Sequence, residues 1–158
     1  MRYILAIASA LVLSLLLCTE VVGQHAIALS FEEASAQGIE REELDAHHRD
    51  AAHVDSDQAV FPDQQDAVVD AWRGLFGALM SHLQETGIEW ETATRGYFRV
   101  YANPDGSVRH LLYTLHDGDL NEADGFQEAV NEFASEYNFG LEADEPYAQC
   151  GTITLQAP

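Results

Sequence analysis

The chain contains no lysine, and all seven of its basic residues are arginine. Against them stand 27 aspartate and glutamate residues, so the formal charge at pH 7 is −20. So negative a surface repels phosphate groups, which argues against nucleic acid and anionic membranes as partners. Arginine in place of lysine on an acidic surface is also typical of a protein that works in concentrated salt, where ions screen the self-repulsion. An ordinary acidic exported protein would have the same composition, and both interpretations remain open.

Cysteine is nearly absent as well, since the chain has only Cys18 and Cys150. If the N-terminal segment is removed on export, Cys150 alone remains and no disulfide can form within the chain. Cys150 is then either buried as a small apolar residue or a free thiol that can pair between chains. A disulfide framework therefore does not hold this fold.

Several catalytic motifs are also missing. The sequence has no GxSxG nucleophile elbow, no HExxH zinc motif and no glycine-rich phosphate loop. We therefore predict a protein that is not an enzyme and that needs no cofactor. One alternative is a small hydrolase, which would need a concave pocket that brings together His82, His110 or His116.

The chain has one long apolar run, the 14 residues from Ile4 to Leu17, and it follows Arg2. A bilayer crossing needs about 20 such residues, so this run is typical of a secretory signal. We predict a signal peptide over residues 1–23 and a periplasmic or secreted mature protein that does not insert in the membrane. The alternatives are an uncleaved anchor and a lipid anchor on Cys18, although Leu17 stands where a lipoprotein has a small residue.

Residues 24–60 have few side chains with which to build a core. Ser30 and Glu33 have the spacing of a capping box, which predicts a short helix from Phe31. The apolar stripe that follows is too thin to dock firmly. We predict an acidic spacer over 24–60, partly helical or disordered. Its bulky apolar residues between positions 32 and 59 are Ile39, Leu44 and Val54.

A group of histidines, His47, His48 and His53, lies within this predicted spacer. On a helix His47 and His48 point about 100° apart, and His53 matches neither at the spacing that metal ligands need. We therefore predict solvated side chains and no metal site. The alternative is a secreted metal-binding protein in which a flexible segment gathers the three imidazoles around Zn²⁺ or Cu²⁺.

Residues 61–158 have the apolar patterns of a folded α+β domain. We predict a small antiparallel sheet, made of a hairpin and a C-terminal strand, packed against one or two helices. The predicted elements are a helix over 63–86, strands over 96–102 and 107–116, a helix from 126 to about 138 and a strand over 150–155. The apolar stripe of the first helix is Val69, Trp72, Phe76, Leu79, Met80 and Leu83.

A hairpin is predicted where two alternating segments flank the turn of residues 103–106, Asn-Pro-Asp-Gly. If Ala102 lies near Ser107, Phe98 falls opposite Leu111 on the inner face. The alternation then places a second set of side chains outward. These are Tyr97, Arg99, Tyr101, His110, Leu112, Thr114 and His116.

The stretch HDGDLNEADGFQE (116–128) has acidic or amide residues at several calcium-loop positions, counted from Asp117 to Glu128. Glu122 and Asp124, however, occupy the places where an EF-hand needs glycine and an aliphatic residue, and a predicted strand enters the loop. We therefore predict a strand-to-helix connection whose acidic residues cap the helix that follows.

Four segments of residues 60–156 resemble the TonB C-terminal domain. GYFRVYANPDGSVRHLLYTL resembles its strand, DG turn and second strand, and LNEADGFQEAV resembles its helix entry. Tyr137-Asn138-Phe139 is similar to its helix exit, and GTITLQ to its closing strand. The chain lacks that family's basic character and its proline-rich spacer.

The resemblance implies a sheet whose last strand accepts an extended peptide of an outer-membrane receptor along its edge. On this chain the implied partner-binding residues are Gly151, Thr152, Ile153, Thr154 and Leu155, with Thr152 and Thr154 outward. The predicted function is an exported protein-interaction domain that binds an extended peptide or partner protein of the cell envelope. The resemblance also implies a link to outer-membrane transport.

Overall fold

A computed structural model describes residues 26–120 and 123–158 of the chain. The predicted signal peptide, with Cys18, lies outside the described residues, and so do Asn121 and Glu122. The described part is an α+β fold with a single mixed sheet. Its elements in chain order are β1 (Ile27–Ser30), α1 (Phe31–Ala36), α2 (Arg41–His47), β2 (Arg49–Asp50), a 3₁₀ turn (Ser56–Gln58), α3 (Gln65–Glu85), β3 (Thr94–Ala102), β4 (Val108–His116), α4 (Phe126–Glu136) and β5 (Tyr147–Leu155).

The sheet has five strands in the order β1-β4-β3-β5-β2. The central three strands are antiparallel, as the sequence predicts, and the helix-strand-strand-helix-strand order is present from α3 to β5. The two outer strands differ from the prediction, because β1 runs parallel to β4 and β2 runs parallel to β5. The sheet is therefore mixed, and both added strands come from the stretch before residue 61.

The inner face of the sheet carries Phe98, Val100, Leu111 and Tyr113, and α3 and α4 cover it. Helix α3 starts two residues later than predicted and directs Val68 rather than Val69 inward, since Val69 is 41% exposed. Its buried residues recur at the spacing of one helical face. They are Val68, Leu75, Phe76, Leu79 and Leu83.

The predicted hairpin is confirmed, but its register differs by two residues. Gly106 has a φ of +82°, which glycine adopts without a steric penalty, and its N–H donates to the Asn103 carbonyl at 2.9 Å. Phe98 pairs with Tyr113 rather than with Leu111, because Ala102 pairs with Val108 instead of Ser107 and the register shifts by one further residue next to Tyr101. Both rings still lie on the inner face, so the alternation is preserved.

Residues 26–60 form an N-terminal arm that packs against the outer face of the sheet, contrary to the prediction of a spacer. Helix α1 begins at Phe31 with the predicted capping box of Ser30 and Glu33. Ile39 and Leu44 are half-buried, whereas Val54 is fully exposed. The arm docks because the outer face is itself apolar at its centre. The buried residues of this second cluster are Leu29, Ala34, Tyr101, Leu112 and Ala148.

The connection between β4 and α4 is a loop, as predicted, but none of the acidic residues that the structure describes in it caps α4. Helix α4 has Gly125 at its N-cap, with no side-chain hydrogen bond. Asp119 instead accepts from the N–H groups of Glu91 and Thr92 at 2.9 and 3.0 Å. These donors lower the pKa of Asp119 to about 2. The carboxylate therefore ties this loop to the loop before β3.

A buried arginine fixes the arm to the sheet. Arg99 points from the central strand β3 to the outer face, and its side chain is 7% exposed. Its Nε donates to Asp45 Oδ1 of α2 at 2.7 Å, and Nη2 donates to Asp50 Oδ1 of β2 at 3.2 Å. The hydroxyl of Tyr101 donates to the same Asp45 oxygen at 2.8 Å. Burial opposes the charge of Arg99, but Tyr101 and the two carboxylates raise its pKa above the ordinary value.

Two histidines lie beside this cluster and contact Tyr101 edge-on. His48 donates from Nδ1 to the Leu44 carbonyl at 2.7 Å, and its ring centroid is 5.1 Å from that of Tyr101. The ring centroid of His110 is 6.3 Å from the same Tyr101 ring centroid. Burial lowers the pKa of His48, and burial together with the charge of Arg109 lowers that of His110 to about 4. Nε2 of His48 and Nδ1 of His110 are buried without a hydrogen-bond partner, which favours the neutral form of both rings.

Replacement of Asp45 should weaken the docking of the arm. Asp45→Asn leaves Arg99 with one carboxylate partner, and we expect the free energy of unfolding to fall by about 1–3 kcal/mol. Asp70→Asn is the matched control, because the pair of Asp70 with Arg73 is 76% and 74% exposed and should contribute less than about 0.5 kcal/mol. Urea denaturation measures both. Equal losses in the two variants would contradict the role of Arg99.

Acidification should destabilise the protein through His110. Because its folded pKa lies below the ordinary value of 6.5, the unfolded chain binds more protons as the pH falls from about 6.5 to about 4. The free energy of unfolding is therefore not reduced by His110 above pH 6.5. Below pH 6.5 it falls, and at pH 4 the loss is about 2–3 kcal/mol. His110→Phe should flatten this part of the stability profile. The exposed His116→Gln should not, and the same flattening in both variants would refute the assignment.

Candidate functional site

The edge of β5 is the part of the sheet that resembles a peptide-binding site. Strand β2 pairs with β5 only at Tyr147 and Ala148. From Cys150 to Leu155, β5 pairs with β3 on one side and has no strand on the other within the described residues. This open segment includes all five predicted partner-binding residues, which share one strand.

The direction of the free backbone groups follows from the pairing with β2. The N–H of Ala51 donates to the Ala148 carbonyl at 2.6 Å, so the backbone groups of Ala148 face away from β3. Alternate residues of a strand point their backbone groups the same way. Cys150, Thr152 and Thr154 therefore direct three N–H and three C=O groups at the open edge, of which the Cys150 carbonyl already accepts from Gln149 Nε2 at 3.2 Å.

The side chains of the open segment alternate as predicted. Thr152 and Thr154 are exposed on the outer face. Ile153 packs against the inner core, and Leu155 is 1% exposed. A peptide strand that paired here would continue both faces, with one set of side chains beside the threonines and the other beside α3.

Gly151 lets an aromatic ring lie against this edge. A Cβ atom on Gly151 would be 3.0 Å from Nε1 of Trp72, a half-buried residue of α3. Val69, one turn earlier in α3, is among the exposed large apolar residues. Sequence reasoning did not connect Trp72 with the edge, although a glycine inside a strand indicates a close approach of another group. The Trp72 ring therefore lies against the inner side of β5 at the open segment.

The outer side of the edge carries polar groups. Tyr97 stacks on Phe31 of the arm with the ring centroids 5.9 Å apart. Burial and the nearby Cys150 thiol raise the pKa of Tyr97 above its ordinary value. Cys150 is a half-buried free thiol. The exposed Arg95 of β3 lies opposite Thr154 of β5 in the strand register. No carboxylate among the described residues lies within 4.0 Å of the Arg95 guanidinium.

The opposite edge of the sheet is closed where β1 covers it. The outward backbone groups of Ala28 are bound by α4, since its N–H donates to Asn131 Oδ1 at 2.8 Å and its C=O accepts from Gln127 Nε2 at 2.5 Å. The hydroxyl of Tyr113 also donates to Gln127. Such side chains prevent another strand from pairing with β1.

Of the three histidines of the metal alternative, His48 and His53 line one pocket, whereas His47 does not. His47 is exposed at the end of α2, His48 is 3% exposed where the arm meets the sheet, and His53 accepts from the Asp55 N–H at 3.0 Å. Across the described ranges, no group of three or more His, Cys, Asp or Glu side chains is arranged to hold a metal ion. Within the described residues, the three histidines therefore do not form a set of metal ligands.

The histidines of the hydrolase alternative lie in three separate places. His82 of α3 lies on the inner side of the sheet, where its ring centroid is 5.8 Å from that of Phe133. His110 is on the outer side beneath the arm, and His116 is exposed at the end of β4. They do not line a common pocket.

Among the helices of residues 26–120 and 123–158, none combines the length and apolar character that a membrane crossing requires.

The contact between Gly151 and Trp72 can be tested by adding a side chain. Gly151→Val must displace Trp72, so we expect the free energy of unfolding to fall by about 1–3 kcal/mol and tryptophan emission to shift to the red. Gly77→Ala in α3 is the control, because its Cβ would meet nothing within 4 Å. Alanine should stabilise the helix there by about 0.5–1 kcal/mol. An unchanged emission spectrum of Gly151→Val would contradict the contact.

Comparisons with known proteins give no match for this chain. No protein-family model matches it, and neither the curated proteins nor the solved structures contain a significant relative.

Proposed function

We propose that this chain is an exported protein-interaction domain of the cell envelope that binds an extended peptide along the open edge of β5. The proposal includes cleavage after residue 23 and a periplasmic or secreted location, with a lipid anchor on Cys18 as the alternative. The resemblance to the TonB C-terminal domain extends it to a role in outer-membrane transport. The partner would be an extended segment of an envelope protein.

The observation that carries the proposal is the difference between the two outer strands. On one side, β1 covers β4 and the side chains of α4 occupy its outward backbone groups. On the other side, β2 ends after two residues and leaves the outward edge of β5 without a strand from Cys150 onward in the part of the chain that the structure describes. An exposed edge is a liability that proteins normally cover, and an edge left open beside the ring of Trp72 favours a partner.

The side chains around the edge suggest the kind of peptide that would fit. Trp72 offers apolar contact on the inner side, so the peptide residues that face it should be valine, isoleucine or leucine. Thr152 and Thr154 on the outer side suit small polar residues. The backbone should supply most of the affinity, because the five outward groups without a partner, at about 1 kcal/mol or less each, give a dissociation constant on the order of 0.1 mM.

Peptide binding can be measured by NMR with a heptapeptide of alternating valine and threonine. We expect the largest amide shifts at residues 150–155, with smaller shifts at Tyr97 and at the indole N–H of Trp72. A peptide with proline at alternate positions cannot pair and should cause none. Shifts that never localise to residues 150–155 would refute the proposed function.

Thr152→Pro separates edge pairing from side-chain contact. Proline removes an outward N–H and leaves the bonds to β3 in place, because the backbone of Thr152 faces the open edge. We expect the peptide to bind at least about tenfold more weakly, which corresponds to about 1.4 kcal/mol. Thr152→Val, which keeps the N–H, should bind as well as the original chain. Equal affinity in all three proteins would contradict edge pairing.

A further inference from the structure

A groove on the opposite side of the sheet forms a second candidate surface. It has a volume of about 1110 Å³ and lies between α1 and the start of α4. Its floor is the end of β4 together with three apolar side chains. Phe126 is 3% exposed, and Phe31 and Leu115 are half-buried. The floor therefore combines apolar surface with the last residues of a strand.

Strand β4 extends beyond β1 at this place. The pairing between the two strands ends at Ser30 and Tyr113. Thr114, Leu115 and His116 continue to pair with β3 but have no strand on their other side within the described residues. The floor of the groove thus includes a short open edge. It is separate from the edge of β5, because three strands that are about 4.8 Å apart lie across the sheet between them.

The rim of the groove is negative on both sides. Glu32 and Glu33 of α1 stand on one side, and Asp124 and Glu128 stand on the other. Glu33 is used in the capping box, where its carboxylate accepts from Ser30. Within the described part, none of the four forms an ion pair, and no arginine lines the groove. The rim therefore carries four carboxylates without an ion-pair partner above an apolar floor, and the one nearby cation is the Arg41 guanidinium, 5.9 Å from the centroid of the Phe31 ring within the described part.

We propose that this groove binds an extended, cationic segment of a partner protein. Lysine or arginine side chains of the segment would meet Glu32, Asp124 and Glu128, and apolar side chains between them would pack on Phe31 and Leu115. Its backbone could pair with residues 114–116. A second copy of this chain does not fit, because the net charge of −20 repels it and four of its arginines, Arg41, Arg49, Arg73 and Arg99, are already paired. This inference does not depend on the proposed function of the β5 edge.

The probe for this surface is a heptapeptide of alternating lysine and leucine, titrated into the purified protein. We expect amide shifts at residues 31–36, 114–116 and 126–128. Affinity should fall at least about tenfold between 50 mM and 500 mM NaCl, because salt screens the exposed charges. A heptapeptide of alternating glutamate and leucine should not bind. Shifts at residues 150–155 instead would assign the lysine peptide to the β5 edge and overturn the groove proposal.

Charge variants distinguish a site from general attraction to an acidic protein. Glu32→Gln combined with Glu128→Gln should weaken binding at least about tenfold. Glu85→Gln combined with Glu136→Gln removes the same charge from exposed positions outside the groove and should change affinity less than twofold. Equal losses in the two double variants would show a non-specific attraction and overturn the proposal.

A filling variant tests the shape of the groove without a change of charge. Ala36 is exposed at the end of α1 and lines the groove, so Ala36→Trp places a ring in it with little effect on the core. We expect this variant to lose at least about tenfold in affinity for the lysine peptide. Thr152→Pro should retain full affinity. Unchanged binding by a folded Ala36→Trp protein, checked by circular dichroism, would refute occupation of the groove.

Discussion

The buried guanidinium of Arg99 is the constraint on which the rest of the structure depends. A charge on the central strand of a sheet is costly to bury unless carboxylates compensate it. Asp45 and Asp50 supply that compensation, and both belong to the N-terminal arm. The docking of the arm also buries Tyr101 and Leu112. The ion pairs of Arg99 and the burial of apolar side chains therefore both favour the docked arm. The arm is therefore part of the domain.

Docking of the arm also determines which edges of the sheet are open. On one side the arm supplies β1, whose outward backbone groups are occupied by Gln127 and Asn131. On the other it supplies β2, which ends at Asp50, so the outward edge of β5 has no strand from Cys150 onward among the described residues. The antiparallel core of β4, β3 and β5 extends beyond both added strands. Both proposed surfaces lie at this end, one apolar beside Trp72 and the other acidic at the end of β4.

Local patterns in the sequence predicted the elements well, and long-range contacts account for what they missed. Helix α3, the hairpin and β5 follow from apolar periodicity and turn residues, and the capping box of Ser30 and Glu33 begins α1 where expected. The sequence did not predict the docked arm, because Ile39 and Leu44 alone form too thin an apolar stripe. They suffice only because the outer face of the sheet is itself apolar. Leu112, placed outward by the alternation, was the available signal. The pairing of Arg99 with Asp45 spans 54 positions and leaves no local pattern. The groove, which joins α1 to α4, is likewise visible only in three dimensions.

Hydrogen exchange resolved by residue tests the central claim, that the arm is folded with the sheet while the β5 edge stays open. The account predicts that the amides of Ala51, Val60 and Phe61, whose acceptors lie 2.6, 2.9 and 3.1 Å away, exchange as slowly as those of β3. It also predicts that the amides of Thr152 and Thr154 exchange at nearly the rate of an unfolded chain. Rapid exchange across residues 26–60 with full protection of β3 would contradict the account.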